Sequence, residues 1–253
     1  MEMVGRISFD PECFMPRRML FRSLALLAMA LASPFCVAAP PAENTLSRAE
    51  KRAGWQLLFD GRTLNGWKAT GSQAGWAVED GAIACTVRGG GYLYTVERWA
   101  DFSLRCDFRI DPDVNSGLFL RWEDLADPVQ TGMEIQILDS HGVEKPGKHD
   151  CGALYDCAAP LVNAALPAGQ WNRLEVTCEG TKLRARLNGQ LIHDLDLSLW
   201  STPHKNPDGS DNKFSRAYAT MVQAGHIGIQ DHGGRVWLRN VKLRDLSPRK
   251  PSR

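Results

Sequence analysis

Residues 103–110, SLRCDFRI, place Leu104, Cys106, Phe108 and Ile110 at every second position, with Ser103, Arg105, Asp107 and Arg109 between them. Side chains of an extended strand alternate between two faces, so this pattern buries one face and leaves the other wet. KLRARL repeats it, setting Leu183, Ala185 and Leu187 against Lys182, Arg184 and Arg186. Asn188-Gly189 follows, a dipeptide that accepts positive φ at both positions, and QLIHDLDL completes a hairpin. Asp60-Gly61, Asn65-Gly66 and Asp80-Gly81 mark further turns. The sequence carries no long amphipathic helical pattern, fixed-period repeat or heptad. An all-β antiparallel sandwich is therefore expected, as one domain over residues 53–247.

The flanks read differently. Arg17, Arg18 and Arg22 precede an apolar run from Leu24 to Ala32, and small residues around Cys36 to Ala39 suit cleavage, so residues 1–38 are expected to be a signal peptide. The run is shorter than the roughly 20 residues that span a bilayer, so no stable membrane span is expected. Four of the 30 basic and three of the 29 acidic residues lie in this segment, leaving 26 of each in the remainder. That balance argues against nucleic acid or anionic lipid as the main partner. The expected destination is the periplasm or the medium. Residues 39–52, proline-led and polar, read as a linker or a short helix, and residues 248–253 as a tail.

Cys85, Cys106, Cys151, Cys157 and Cys178 remain beyond the signal segment. In an oxidising compartment Cys151 and Cys157, closing CGALYDC, are the expected disulfide, with Cys85 and Cys106 as a second candidate pair. The Cys151–Cys157 spacing matches no common zinc motif.

Three stretches carry candidate chemistry. In GMEIQILD, Met133, Ile135 and Ile137 share one face and Glu134 and Gln136 the other, while Asp139 needs a bulge or the strand end to join them. In NSGLFLRW, Leu118, Leu120 and Trp122 are expected to face the core and Arg121 the polar side. GHIGIQDHGG alternates through Ile227 and Ile229 into Gln230, Asp231 and His232, an amide, a carboxylate and an imidazole at one strand end. Asp231 before His-Gly-Gly also suits a turn. The polar stretch 201–218 is expected to be a surface loop that borders a site. Trp67, Trp76 and Trp122 could stack on a ligand, or pack in the core.

The ordered set LFDGRTLNGWKA, GYLYTVERWADFSLRCDFRI, NSGLFLRW, MEIQILD, GALYD, GQWNRLEV, LNGQLIHD and GHIGIQDHGGRVWLRNVKLRDL resembles the 3-keto-disaccharide hydrolase domain over about residues 55–246. The resemblance implies a concanavalin A-like jelly roll of two curved antiparallel sheets, with a sugar site on the concave face, in exported proteins acting on 3-keto-glycosides. Its motif positions here are Asn115, Arg121, Glu134, Gln136, Asp139, Tyr155, Gln230, Asp231 and His232. The Asp156-Cys157 continuation of the tyrosine motif departs from the family pattern.

A ketone at C3 acidifies the hydrogen on C2, and removing that proton can expel the group at C1 before water adds. Glu134 or His232 is the expected base, and Arg121 or a divalent metal the expected enolate stabiliser. Asn115, Gln136, Tyr155, Gln230 and Asp231 are expected sugar contacts. A metal would draw on Asp139 with Glu134 or His232. The alternatives are a non-catalytic carbohydrate-binding module and a laminarinase-like hydrolase, whose Glu-x-Asp-x-x-Glu strand motif is here broken by Gln136.

Overall fold

The computed structural model describes residues 43–86, 88–221 and 223–248. The expected signal peptide, 1–38, and tail residues 249–253 lie outside these. In chain order the strands are β1 (Trp55–Leu57), β2 (Trp67–Ala69), β3 (Trp76–Glu79), β4 (Ala82–Cys85), β5 (Tyr92–Thr95), β6 (Phe102–Ile110) and β7 (Asn115–Trp122). They continue with β8 (Met133–Leu138), β9 (Asn172–Glu179), β10 (Lys182–Leu187), β11 (Gln190–Asp196), β12 (His226–Gln230) and β13 (Val236–Asp245). Two short helices, α1 (Arg48–Arg52) and α2 (Pro128–Thr131), and three 3-10 turns complete the regular structure of the described residues.

The strands form two antiparallel sheets. The eight-stranded sheet runs β11-β10-β9-β6-β13-β4-β3, with β1 beside the second half of β13, and the five-stranded sheet runs β2-β5-β12-β7-β8. The fold is a jelly-roll sandwich of the concanavalin A-like class. Its core lies between the sheets, where Leu104, Phe108, Leu174, Val176, Leu183, Leu238 and Leu243 meet Leu93, Leu118, Leu120, Ile135, Ile137, Ile227 and Ile229, all at most 2% exposed. Each such side chain contributes roughly 1.5–3 kcal/mol on burial. The Asn188-Gly189 turn between β10 and β11 has φ of 50° and 82°, the left-handed geometry its sequence allows.

The segment expected as a linker is, from residue 43 onward, part of the sandwich. Ser47 and Glu50 form a capping box that starts α1: Ser47 Oγ accepts from the Glu50 N–H (3.1 Å) and Glu50 Oε2 from the Ser47 N–H (2.8 Å). Burial pushes the Glu50 carboxyl up, but the Ser47 N–H and the Lys242 ammonium outweigh it and hold the group at about 2. Asn44 and Asn240 clasp each other, each side-chain oxygen accepting the other's backbone N–H at 2.8 and 2.6 Å.

The expected Cys151–Cys157 disulfide is not formed, and both are free buried thiols. Cys151 packs beside the C-terminal end of β8, its N–H donating to Ser140 Oγ, whereas Cys157 faces Trp200 and Tyr218. Cys106 is also a free thiol, so the Cys85–Cys106 pair is not formed either. Among the described residues no helix is long and apolar enough to cross a membrane.

Candidate active site

Because Leu93, Leu118, Leu120, Ile135, Ile137, Ile227 and Ile229 point inward, the alternate residues of the five-stranded sheet point outward. Strand register sets them side by side. Lys68 pairs Tyr94, Tyr94 pairs Gly228 and Tyr92 pairs Gln230. Gly228 in turn pairs Phe119, Phe119 pairs Glu134, and Gly117 pairs Gln136. One face therefore carries lysine, tyrosines, amides and, on β8, a single strand-borne carboxylate.

Glu134 is 8% exposed, and burial pushes its carboxyl up to about 7, against the opposing pull of the Lys213 ammonium. Its side chain lies over Gly117, where a Cβ would stand 2.0 Å from Oε1. The Gln136 amide sits between Glu134 and Asn115. In one orientation its NH2 donates to Asn115 Oδ1 (3.2 Å), and turned over it donates to Glu134 Oε1 and the Ser116 carbonyl, both at 3.2 Å. The amide can thus answer either protonation state of the carboxyl. Gln230 Nε2 donates to the Tyr92 hydroxyl (2.9 Å), and burial raises the Tyr92 phenol, with the Gln230 amide opposing and Glu134 adding to the rise.

Segment 152–155 runs along β8 as an added edge. The Gly152 N–H donates to the Gln136 carbonyl (2.8 Å), the Gln136 N–H to Ala153 (2.9 Å) and the Tyr155 N–H to the Glu134 carbonyl (3.0 Å). His193 on β11 holds this segment from behind, with Nε2 2.7 Å from the Gly152 carbonyl and 3.1 Å from the Leu154 nitrogen. The Tyr155 ring is brought against Lys213, whose Nζ lies 4.2 Å from the ring centroid, and against His149, centroid to centroid 4.9 Å. Burial raises the Tyr155 phenol, and the Glu134 and Asp156 charges add to the rise. His149 Nε2 meets Asp156 Oδ1 at 3.0 Å, and Asp156 Oδ2 accepts the Lys213 N–H at 2.7 Å.

Of the residues expected at the site, Asn115, Glu134, Gln136, Tyr155 and Gln230 share this face and its edge. Arg121 does not. Between β12 and β7 the register steps from His226↔Trp122 to Gly228↔Phe119, and Arg121 takes φ 49° in the bulge. The bulge reverses the expected facing. Trp122 turns outward beneath Tyr92 and Tyr94, at 5.3 and 5.6 Å between centroids. Arg121 turns away, donating to the carbonyls of Ala100 (2.7 Å) and Gly180 (2.8 Å), to Gln223 Oε1 (2.6 Å) and to Asp101 (3.0 Å).

Asp231 is engaged in a turn, its carboxylate accepting the N–H groups of Gly89 (2.9 Å), Gly90 (3.0 Å) and Gly233 (2.8 Å). His232 is exposed in that turn. Asp139 Oδ2 accepts the Asp113 N–H (3.1 Å) at the β6–β7 turn. Among the described residues no group of three or more His, Cys, Asp or Glu side chains is arranged to hold a metal ion. Trp67 and Trp76 are core residues, their Nε1 groups donating to the carbonyls of Leu58 (2.6 Å) and Gly90 (3.2 Å).

Sequence reasoning missed Tyr92, Tyr94, His149 and Lys213. The alternation in YLYT, with Leu93 inward, was signal enough for the tyrosines. Lys213 comes from the 201–218 loop expected to border a site, and His149 from a loop with no distinguishing pattern.

Residues 54–244 match the family model described as the 3-keto-alpha-glucoside-1,2-lyase-like domain. A 3-keto-disaccharide hydrolase of Bacteroides thetaiotaomicron is 27% identical over 228 residues, spanning 76% of this chain and 79% of that protein. A candidate glycosyl hydrolase of Parabacteroides distasonis superposes with a TM-score of 0.69 at 31% identity, covering 76% of this chain and 99% of that chain. A second from the same organism gives 0.69 at 26%, covering 81% and 100%. With the family match running from before β1 into β13, the chain belongs to the 3-keto-alpha-glucoside-1,2-lyase-like family.

Proposed function

We propose that this protein cleaves 3-keto-glycosides by taking the proton from C2, expelling the group at C1 and adding water to the resulting unsaturated ketone. The observation that carries the reading is Glu134, a carboxyl held near 7 by burial on an outward sheet face. A base poised close to neutrality suits removal of a carbon-bound proton beside a ketone. Lys213 and Tyr155 supply a positive charge and a hydroxyl beside it for the enolate oxygen, in the role first expected of Arg121. Asn115, Gln136 and Gln230 offer amides to sugar hydroxyls, and Tyr92 and Tyr94 offer ring faces to a pyranose. The relative from Bacteroides thetaiotaomicron, named for 3-keto-disaccharide hydrolysis, supports the choice of an oxidised sugar. Export, on the strength of residues 1–38, is part of the same proposal.

Direct hydrolysis by paired carboxylates needs two carboxyl groups flanking the bond, about 5–5.5 Å apart for retention. Along β8 the residue two beyond Glu134 on the same face is Gln136, an amide. The laminarinase-like reading therefore lacks its second acid on that strand.

The test is incubation of the purified protein with a 3-keto-glucoside and the corresponding unoxidised glucoside, with and without chelator, following free aglycone and any unsaturated sugar by mass spectrometry. Cleavage of the oxidised glycoside alone is the expected result. Cleavage of the unoxidised one would favour paired-carboxylate chemistry, and binding of both without turnover would favour a carbohydrate-binding module.

A further inference from the structure

We propose that His149, oriented by Asp156, is the acid that protonates the departing glycosidic oxygen and then the base that activates water, a role that rests on the elimination reading above. Elimination needs two proton-handling groups, one at C2 and one at the oxygen on C1. Glu134 serves the first. On the outward face His226 is spent, its Nδ1 2.7 Å from the Thr95 carbonyl and its ring packed against Tyr94 and Trp122. His149 is placed otherwise. Its side chain is 62% exposed, open to a ligand, and its ring lies against Tyr155, whose backbone is bonded to Glu134.

Asp156 is positioned far more firmly than a surface ion pair requires. It sits at φ 58°, in the left-handed region, with its N–H donating to the Lys148 carbonyl (2.9 Å) and its own carbonyl accepting from Asn206 Nδ2 (3.2 Å). One carboxylate oxygen accepts the Lys213 N–H, and the other faces His149 Nε2 at 3.0 Å. Strained backbone held by several contacts at once is a frequent mark of a working site. With the Nε2 proton given to Asp156, the tautomer is set and Nδ1 becomes the free nitrogen, bare in the imidazole and carrying a proton in the imidazolium. One carboxylate thereby ties together the His149 loop and the Lys213 loop, both of which contact the Tyr155 ring.

The steps balance. Glu134 accepts the C2 proton, and the electron pair of that bond moves into the enolate. As the C3 carbonyl reforms, a C1–C2 double bond forms, the C1–O bond breaks, and the departing oxygen takes its proton from His149 Nδ1. The neutral imidazole then accepts a proton from water as its oxygen adds to C1, and Glu134 returns its proton to C2. The sum is one water consumed and one alcohol released.

The experiment compares wild type, His149→Gln, Asp156→Asn and Glu134→Gln on methyl 3-keto-α-glucoside and 4-nitrophenyl 3-keto-α-glucoside. Nitrophenolate departs without a proton, whereas methoxide does not. For His149→Gln we expect kcat/KM to fall at least about a hundredfold on the methyl glycoside and less than about tenfold on the nitrophenyl one. Exchange of the C2 hydrogen in D2O should persist in that variant. Asp156→Asn should show the same selectivity more weakly, and Glu134→Gln should lose both substrates and the exchange. Equal losses on the two glycosides in the His149 and Asp156 variants, or no loss on the methyl glycoside, would overturn the assignment while leaving the elimination reading intact. A wild-type protein inert on both oxidised glycosides would overturn that reading and this one with it.

Discussion

Ionising Glu134 is costly because β7 and β8 take water from it while supplying few donors: the amide of Gln136 is shared with Asn115, and Lys213 offsets only part of the burial. A carboxyl at about 7 loses its proton only as pH rises through neutrality. If it is the base, kcat/KM on a 3-keto-glucoside should climb with pH and level off above about 7, a limb that a pH-rate profile resolves. Glu134→Gln should abolish that limb and lower kcat/KM by about a hundredfold or more, measured alongside circular dichroism to establish that the fold is kept. Glu134 was legible from sequence because β8 is regular and its alternation holds from Met133 to Leu138. For Asp231 the sequence left two readings, a sugar contact and a turn, and the structure shows the turn. Its carboxylate accepts from three backbone N–H groups, as an aspartate ahead of His-Gly-Gly readily does.

Between strands, what could not be read was phase. The inward positions of β6, β8, β10 and β12 follow from period-two alternation, but the bulge at Arg121 adds a residue to β7 and exchanges the facing of Arg121 and Trp122. No residue type in NSGLFLRW announces it, because the left-handed position is held by bonds to distant Ala100, Gly180 and Gln223. Arg121→Ala should therefore cost stability, about 2–4 kcal/mol in a denaturant melt, while kcat per folded molecule stays within about twofold. Gly117→Ala should do the opposite. Its methyl would stand 2.0 Å from Glu134 Oε1 and 2.7 Å from Cγ, so the carboxyl must swing aside, although extended backbone there accepts alanine. Displacement of this size should lower kcat/KM at least about tenfold with Tm nearly unchanged, as paired kinetic and thermal measurements would show. His149 and Lys213 escaped notice at this scale too, since loops folded over a sheet edge leave no periodic trace.

Across the whole molecule, two buried groups with opposite signs should dominate how stability varies with pH between 4.5 and 6.5. Glu134 holds its proton more tightly folded than unfolded, with its carboxyl at about 7 against an ordinary 4.5, so its contribution is full below 4.5 and is lost as pH rises through 7. Burial takes His193 the other way, to about 4 from 6.5, partly countered by the Gly152 carbonyl, so its contribution is full above 6.5 and is lost as pH falls through 4. Each term is at most about 3 kcal/mol. His226, also lowered by burial, adds to the histidine side. Between pH 4.5 and 6.5 the carboxyl gains on acidification about what His193 loses, so wild-type stability should vary less steeply there than that of the Glu134 variant. Glu134→Gln removes one side of this opposition. Its stability should exceed wild type at pH 8 and decline steeply as pH drops from 6.5 to 4.5, whereas His193→Gln should start lower and strengthen over the same interval. Chemical denaturation at closely spaced pH values reads all three curves, and a wild-type curve as steep as that of the Glu134 variant would refute the opposition. A base kept short of water for chemistry would then be measurable as a stability deficit that the same fold carries at alkaline pH.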